Sequence, residues 1–454
     1  MSQLAPLLLA SALVGGGFLT LHQRQAPAPV QPPATMTTTL ASPGLASDIS
    51  SDPLLEALRS DLHLQRQLIL LFADEGSFKG KDLAQALEAG HRLHHDRRDL
   101  VHQINGALLK LCAQAPALRD PEIRHLLGWM EGDPELLELD RLAFRDTLRI
   151  LQHGLAKDMS PGALGLKASI TRDLGTLDRT ELSVDAEYRK VFGGAGQAPV
   201  GRRELWLAYV AQLRQRVSIQ ELLTQAPEPQ PTPTTPAKPG DELDGSHLPD
   251  KVLVLSFDDG PHRLYTEEIK AILLKEHVPA LFFEVGRNLG TEDATGQVKL
   301  SHLSTLTEGL VQAVFVVGNH SYTHAQLSKE TGAPLDLEIR ETDQLLRAIP
   351  GAHSQLFRFP YGARTAVQLK ALEAFQLRSV LWNIDSLDWA DPVPSSVADR
   401  VLKTIAQEKR GIILFHDIHD RAGKVLPVLI PKLRAEGYTF AGLDALGNLQ
   451  LPKP

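Results

Sequence analysis

Two histidines and two adjacent carboxylates in the C-terminal half have the types and spacing of a hydrolytic metal site. His320 and His324 are four residues apart, so one helical turn or a tight loop can direct both imidazoles at one cation. With one carboxylate they would form a ligand set that leaves positions open for water and substrate. Asp258 and Asp259 are neighbours, so one can bind the cation while the other faces the substrate. The pattern predicts metal-assisted hydrolysis, in which the free carboxylate accepts a proton from water.

Three further side chains could complete this chemistry. His416 is the candidate acid for a departing amine, because an imidazolium can donate its proton near neutral pH. Arg358 can hold the base through a bidentate pair, and Asp388 can orient His416 and keep it charged. All these residues fall in five short segments, at 256–261, 319–324, 357–362, 385–389 and 414–417. Their joint occurrence favours a catalytic site over five unrelated turns and caps.

The elements that would position these segments alternate between strands and helices after residue 250. Apolar runs predict strands at 252–257, 281–285, 313–317, 380–384 and 412–415, and amphipathic stretches predict helices near 265–277, 334–349, 365–376, 394–408 and 424–436. Such alternation predicts an α/β domain of parallel strands with helices outside, as an open sheet or a barrel. Active sites of these folds form at the C-terminal ends of the strands, where most of the five segments lie.

The five segments resemble the motifs of the NodB-homology polysaccharide deacetylases, carbohydrate esterase family 4. The resemblance covers about residues 250–446, and the sequence Ser-Phe-Asp-Asp-Gly-Pro at 256–261 is similar to the first motif of that family. Membership would imply a distorted (β/α) barrel and one divalent cation, commonly zinc, with cobalt or nickel also accepted. Residues 286–300 depart from the pattern and are expected to be an insertion that borders the substrate groove.

The resemblance implies a role for each residue of the metal and proton-transfer chemistry. It assigns Asp259, His320 and His324 to the cation. It makes Asp258 the catalytic base and His416 the catalytic acid.

The resemblance also implies the residues that surround this chemistry. It assigns Arg358 to the support of the base and Asp388 to the support of the acid. The backbone N–H of Tyr361 would stabilise the oxyanion, while Trp389 and Leu414 would wall the acetyl methyl group.

The preceding block, residues 51–224, is helical by pattern. Leucine recurs every fourth residue at 54, 58 and 62, and proline follows a capping residue at 53, 121 and 134. We expect an all-α domain of five to seven helices that precedes the barrel. Its role is not assigned by sequence, although it could provide a surface for a protein partner.

One histidine cluster in this block could in principle bind a metal. His91, His94 and His95 can share one helical face, but three neighbouring arginines would oppose a cation. We therefore interpret the cluster as a solvated helix surface.

The ends and joints of these blocks are defined by composition. Residues 1–24 are a signal or anchor segment, in which residues 4–21 are almost wholly apolar, and residues 25–50 read as a flexible linker. Residues 225–249 form a proline-rich linker, and residues 250–454 form the deacetylase domain. We expect an exported, periplasmic or cell-surface protein, anchored in the inner membrane by residues 4–21 or cleaved after export.

These features together predict removal of N-acetyl groups from an N-acetylglucosamine-containing polysaccharide, either peptidoglycan or an exopolysaccharide, outside the cytoplasm. The net charge of −8 argues against nucleic acid as a partner, and the single cysteine excludes a multi-thiolate metal site. Three alternatives use the same fold: an O-acetyl esterase, a hydrolase of small cyclic amides, and a catalytically silent glycan-binding protein.

Overall fold

The computed structural model describes residues 51–73, 78, 81–192, 204–226, 242–293 and 295–452. Contacts group the chain from Leu45 to Pro454 into one compact unit, so the helical block and the α/β region pack against each other. The predicted anchor, the first linker and most of the second linker lie outside the described residues. None of the described helices is both long enough and apolar enough to cross a bilayer.

The N-terminal part of this unit is helical, as predicted for residues 51–224. Its α-helices are α1 (Ser51–Phe72), α2 (Lys81–Cys112), α3 (Pro116–Gly132), α4 (Arg145–Gly154), α5 (Pro161–Phe192), α6 (Glu204–Arg216) and α7 (Ile219–Gln225), with a 3-10 helix at Glu138–Phe144. The leucine stripe of α1 is confirmed as a core face, since Leu54, Leu58 and Leu62 are all buried against α2 to α5. An apolar face of this kind is stable only when neighbouring helices cover it.

The C-terminal part alternates between strands and helices. Its strands are β1 (Glu242–Leu243), β2 (Val252–Asp258), β3 (Ala280–Glu284), β4 (Gly290–Glu292), β5 (Val298–Leu300), β6 (Val316–Asn319), β7 (Leu356–Phe357), β8 (Arg378–Val380), β9 (Ile384–Asp385), β10 (Gly411–His416), β11 (Thr439–Leu443) and β12 (Leu449–Gln450). Its α-helices are α8 (Tyr265–Glu276), α9 (Gly286–Leu289), α10 (Ser304–Gln312), α11 (Ala333–Ala348), α12 (Ala366–Ala374), α13 (Pro394–Glu408) and α14 (Arg421–Ala435). Short 3-10 helices lie at Leu327–Lys329 and Pro360–Gly362.

The main sheet is parallel and curled, with the strand order β1-β8-β7-β6-β3-β2-β10-β9. Every residue of β2 is buried, which is typical of a parallel strand covered on both faces. β10 pairs with β2 along its whole length, so His416 lies directly opposite Asp258. The predicted distorted barrel preceded by helices is therefore confirmed, as a curled half-barrel.

The strand predicted at 380–384 was wrong as a single element. Val380 ends β8 and Ile384 begins β9, and these two strands stand near opposite ends of the strand order. Only three residues join them, and a chain of that length spans at most about 14 Å. The two ends of the sheet must therefore curl towards each other, which gathers the C-terminal ends of the strands around one centre.

Two other segments differ from their predictions. Glu242–Leu243 was assigned to the second linker by composition, yet it forms β1 and pairs with β8. Residues 286–300, expected as an insertion, contain α9 and the antiparallel β4–β5 hairpin. The strand predicted at 313–317 starts only at Val316, because α10 continues to Gln312.

Candidate active site

The two adjacent aspartates are separated by a change of backbone conformation at the end of β2. Asp258 is the last residue of the strand, while Asp259 has a left-handed conformation with φ of 78°. Their carboxylates consequently have different neighbours: Oδ1 of Asp258 lies 2.7 Å from Nη1 of Arg358, and Oδ1 of Asp259 lies 3.1 Å from Nε2 of His324. The two aspartates, whose individual roles the residue order alone left open, therefore occupy two distinct positions.

Asp259, His320 and His324 have the arrangement of a metal site. Their ligand atoms all lie within 4.8 Å of one another, and all three side chains are buried. Nδ1 of His320 lies 2.8 Å from the carbonyl oxygen of Arg358, so Nδ1 carries the proton and Nε2 is free to ligate. Oδ1 of Asp259 has no hydrogen-bond partner among the described residues.

The charge state of this cluster also suits a cation. Burial alone would raise the pKa of Asp259, but the imidazoles beside it, His324 first among them, hold that pKa well below its usual range. Burial and the nearby Arg98 hold the pKa of His324 well below its usual range. A divalent ion binds a deprotonated carboxylate together with imidazoles whose ligating nitrogen carries no proton. The residues present therefore fit a divalent cation.

Arg358 fixes Asp258 from a fully buried position. Its guanidinium also donates to Oγ of Ser256 at 2.8 Å and to the carbonyl oxygen of Val380 at 2.9 Å. It lies 4.1 Å from the ring centroid of Phe283, a cation–π contact. Such extensive contacts leave the guanidinium one orientation, which sets the position of the carboxylate that it pairs with.

His416 and Asp388 form a second buried pair. Nδ1 of His416 lies 2.8 Å from one carboxylate oxygen of Asp388, and the backbone N–H of His416 donates to the other at 2.9 Å. Burial alone would lower the pKa of His416, but the Asp388 carboxylate reverses this and raises the pKa to about 9. A ring nitrogen of His416 lies within 4.8 Å of the Asp259 carboxylate. The Asp388 carboxylate thus favours the protonated form of an imidazole that lies beside the candidate metal site.

The remaining predicted residues lie around this centre. Tyr361 has a left-handed φ of 62°, and its hydroxyl oxygen lies 3.2 Å from Nδ1 of His324. Leu414 is buried in β10, and Trp389 is 4% exposed. Their roles as oxyanion donor and acetyl pocket stay predictions.

The interpretation of the α2 histidines as a solvated surface was wrong. Nε2 of His94 lies 3.4 Å from Oδ2 of Asp259, and the His94 side chain is buried. Arg98, one turn further along α2, places Nη1 at 3.6 Å from Oδ1 of Asp259 and donates from Nη2 to the carbonyl oxygen of Thr323 at 2.9 Å. The Arg98 guanidinium, which would repel a cation on an isolated helix, instead contacts the Asp259 carboxylate and the Thr323 carbonyl of the α/β region.

Helix α2 covers the catalytic centre through several aromatic contacts. The His94 ring lies 5.3 Å from Trp389 and 5.6 Å from His416, and the His95 ring stacks on His324 at 6.5 Å. Gly90 permits this approach, because a Cβ there would lie 2.6 Å from Phe72 and 3.1 Å from Trp389. Positions 91, 94, 95 and 98 share one face of α2. This helical spacing was the sequence signal that could have predicted a buried face.

Comparison with known proteins identifies relatives of this chain. The family model described as polysaccharide deacetylase matches residues 245–380. A chitooligosaccharide deacetylase of Rhizobium leguminosarum bv. phaseoli is 34% identical over 179 residues, which are 39% of this chain and 72% of that protein. A peptidoglycan-N-acetylglucosamine deacetylase of Listeria monocytogenes is 31% identical over 196 residues, which are 43% of this chain and 39% of that protein.

A crystal structure of a peptidoglycan N-acetylglucosamine deacetylase in complex with 4-naphthalen-1-yl-N-oxidanyl-benzamide aligns at 24% identity with a TM-score of 0.41. It covers 47% of this chain and 97% of that chain. The sequence matches define an enzyme, a hydrolase of carbon–nitrogen bonds in polysaccharides. The chain belongs to the polysaccharide deacetylase family, and the resemblance to NodB-homology proteins is confirmed.

Proposed function

We propose that this enzyme removes N-acetyl groups from an N-acetylglucosamine-containing polysaccharide outside the cytoplasm. The observation that carries the proposal is the pair of neighbouring carboxylates in different surroundings, with the His416–Asp388 pair opposite them. Relatives that are named as deacetylases of chitooligosaccharide and of peptidoglycan N-acetylglucosamine support this substrate class.

Asp259, His320 and His324 would hold the divalent cation, for which zinc suits a site of two imidazoles and one carboxylate. When bound, the cation would supply a Lewis acid that polarises the acetamide carbonyl and lowers the pKa of water. Asp259 would contribute the one negative charge of this ligand set from a buried position.

The residues of the chain itself divide the proton transfers. Asp258 accepts the proton of the attacking water, and the fixed contact with Arg358 holds its carboxylate in place. His416 gives its proton to the amide nitrogen as the carbon–nitrogen bond breaks, so that the sugar leaves as an amine. Asp388 stabilises the imidazolium before that transfer. The backbone N–H of Tyr361 is the proposed donor to the oxyanion.

The location is part of the same proposal. Peptidoglycan and secreted polymers lie outside the cytoplasm, and the apolar residues 4–21 could anchor the enzyme near them. Both the helical block and the catalytic region would then face the periplasm or the cell exterior.

Acetate release from purified glycans tests the proposed activity. The panel contains peptidoglycan, a secreted N-acetylglucosamine polymer, chitin oligomers and acetylated xylan, with metal content measured on the same samples. Release from an N-acetylated glycan, but not from xylan, supports the proposal. Release from xylan alone would indicate the O-acetyl esterase. A metal-loaded protein that binds glycan without releasing acetate would instead be the silent binding protein.

A further inference from the structure

A cavity of about 320 Å³ lies between α2 and the loops that follow β2 and β3. Its walls come from residues 94–109 on α2 and from residues 259–263, 285–288 and 302–303 of the α/β region. Asp259 and Trp389 are among the lining residues, so the cavity reaches the catalytic centre. Its volume is at the lower end of the range for small-molecule sites, roughly 300–1,000 Å³, and suits one or two sugar units.

Positive charge exceeds negative charge along these walls. The charged lining consists of four arginines and two aspartates: Arg97, Arg98, Arg263, Arg287, Asp146 and Asp259. Arg97 is compensated by Asp61, whose Oδ1 lies 2.9 Å from its Nε. Arg98 and Arg287 both pair with the single carboxylate of Asp99. Arg98 also lies 3.6 Å from Oδ1 of Asp259, so it has a second carboxylate partner.

The two lining carboxylates have neighbours of their own. Asp259 belongs to the candidate metal site, where a divalent cation would outweigh it. Burial raises the pKa of Asp146, and the hydroxyl of Tyr265 donates to its carboxylate.

Arg263 is the arginine without a compensating partner. Among the described residues no carboxylate lies within ion-pairing distance of it, and its Nη2 is hydrogen-bonded to Nε2 of His302. Burial lowers the pKa of Arg263, and burial together with Arg263 lowers the pKa of the His302 imidazole that it contacts. A partly buried guanidinium held by a neutral imidazole is prepared to bind an anion, because its fork matches a carboxylate or a phosphate.

We propose that this cavity binds an anionic substituent of the N-acetylated sugar, and that Arg263 is the residue that selects it. This inference rests on the proposed deacetylation, because the sugar that carries the substituent must also present its acetamide group towards Asp259. A carboxylate, as in N-acetylmuramic acid, and a phosphate ester are the two sources of the shared anionic chemistry.

Calorimetric binding to the metal-loaded full-length protein tests the inference without requiring turnover. The probes are N-acetylglucosamine, which is neutral, N-acetylmuramic acid and N-acetylglucosamine 6-phosphate. We expect at least one anionic sugar to bind about tenfold or more tightly than the neutral one, since hydrogen bonds to charged groups are strong. The anion that binds more tightly identifies the source.

The variant Arg263→Gln should abolish this preference, and Arg263→Lys should keep part of it, because it retains the charge and loses the fork. Arg434→Gln is the matched control: its guanidinium pairs with Glu276 and does not line the cavity, so its preference should match the wild type. Thermal unfolding checks that each variant is folded.

Two results would overturn the inference: equal affinity for neutral and anionic sugars, or an unchanged preference in Arg263→Gln. Failure of the proposed function looks different. In that case no N-acetylated glycan would release acetate, while the anion preference and its loss in Arg263→Gln would still be measured.

Discussion

Replacing Asp258 by asparagine separates its catalytic role from its structural one. The amide has nearly the shape of the carboxylate but cannot accept a proton from water, so the rate of acetate release should fall by about 10²–10⁴-fold. Metal content should be unchanged, because Asp258 is not among the expected ligands.

The same substitution should also destabilise the fold. Asp258 pairs at 2.7 Å with Arg358, and both side chains are almost completely buried. Removing one partner of such a pair leaves an uncompensated charge, at a cost of about 3–5 kcal/mol. At about 2–4 °C of Tm per kcal/mol, as in domains of 150–250 residues, Tm should fall by about 6–20 °C.

A double variant tests the origin of that loss. Asp258→Asn combined with Arg358→Gln removes both charges, so its unfolding free energy should exceed the additive expectation by about 0.5–3 kcal/mol, while activity stays lost. Asp250→Asn provides the matched control: it breaks an exposed pair with Arg410, and such pairs contribute only about 0–1 kcal/mol.

Urea unfolding, acetate release and metal analysis decide the outcome on five proteins: the wild type, Asp258→Asn, Arg358→Gln, the double variant and the Asp250→Asn control. Wild-type stability in Asp258→Asn would refute the reasoning about the buried pair. If Asp258→Asn loses the metal and Asp259→Asn keeps it, the roles of the two aspartates are reversed.

Three other predictions concern the metal, the acid and the location. His320→Ala should lose both metal and nearly all activity, because two ligands cannot hold the ion; full occupancy by metal analysis would contradict the assignment. His416 must be protonated to act as the acid, and its pKa is raised to about 9. The acetate-release rate should therefore fall as the pH rises through about 9, where His416 loses its proton. Asp388→Asn should move that fall to lower pH, whereas coincident pH–rate profiles would show that Asp388 does not act through His416. Deleting residues 1–24 should leave a soluble, active enzyme that no longer fractionates with membranes, and protease protection of the full-length protein in spheroplasts would contradict export.

Local sequence patterns were sufficient for much of the α/β region. The helix predicted at 394–408 matches Pro394–Glu408, and the one predicted at 265–277 matches Tyr265–Glu276 within one residue. These helices have an apolar period and clear ends, which depend only on neighbouring residues. Most of the motif segments were located for a similar reason, since they follow strands whose burial is evident from their composition; segment 357–362 follows no strand that the sequence predicted.

The errors concern contacts between residues far apart in the chain. His94 was interpreted from the charges on its own helix, whereas its environment is determined by Asp259, 165 residues later in the sequence. The break between Val380 and Ile384 depends on which strand each residue pairs with, and a short apolar run carries no information about partners. Tertiary packing therefore decided the features that periodicity could not.

The position of α2 also links two equilibria that are usually treated as separate. His94 and Arg98 contact the same carboxylate that would ligate the cation, so seating of the helix and capture of the ion share one chemical group. The two effects must be equal in size. If a bound ion changes the affinity of α2 for the barrel by some factor, docking of α2 changes the affinity of the site for the ion by the same factor. If binding of a polymer or of a protein to the helical block displaced α2, the dissociation constant of the metal ion would therefore change. Contact between α2 and the barrel and affinity for the proposed cation are therefore expected to change together.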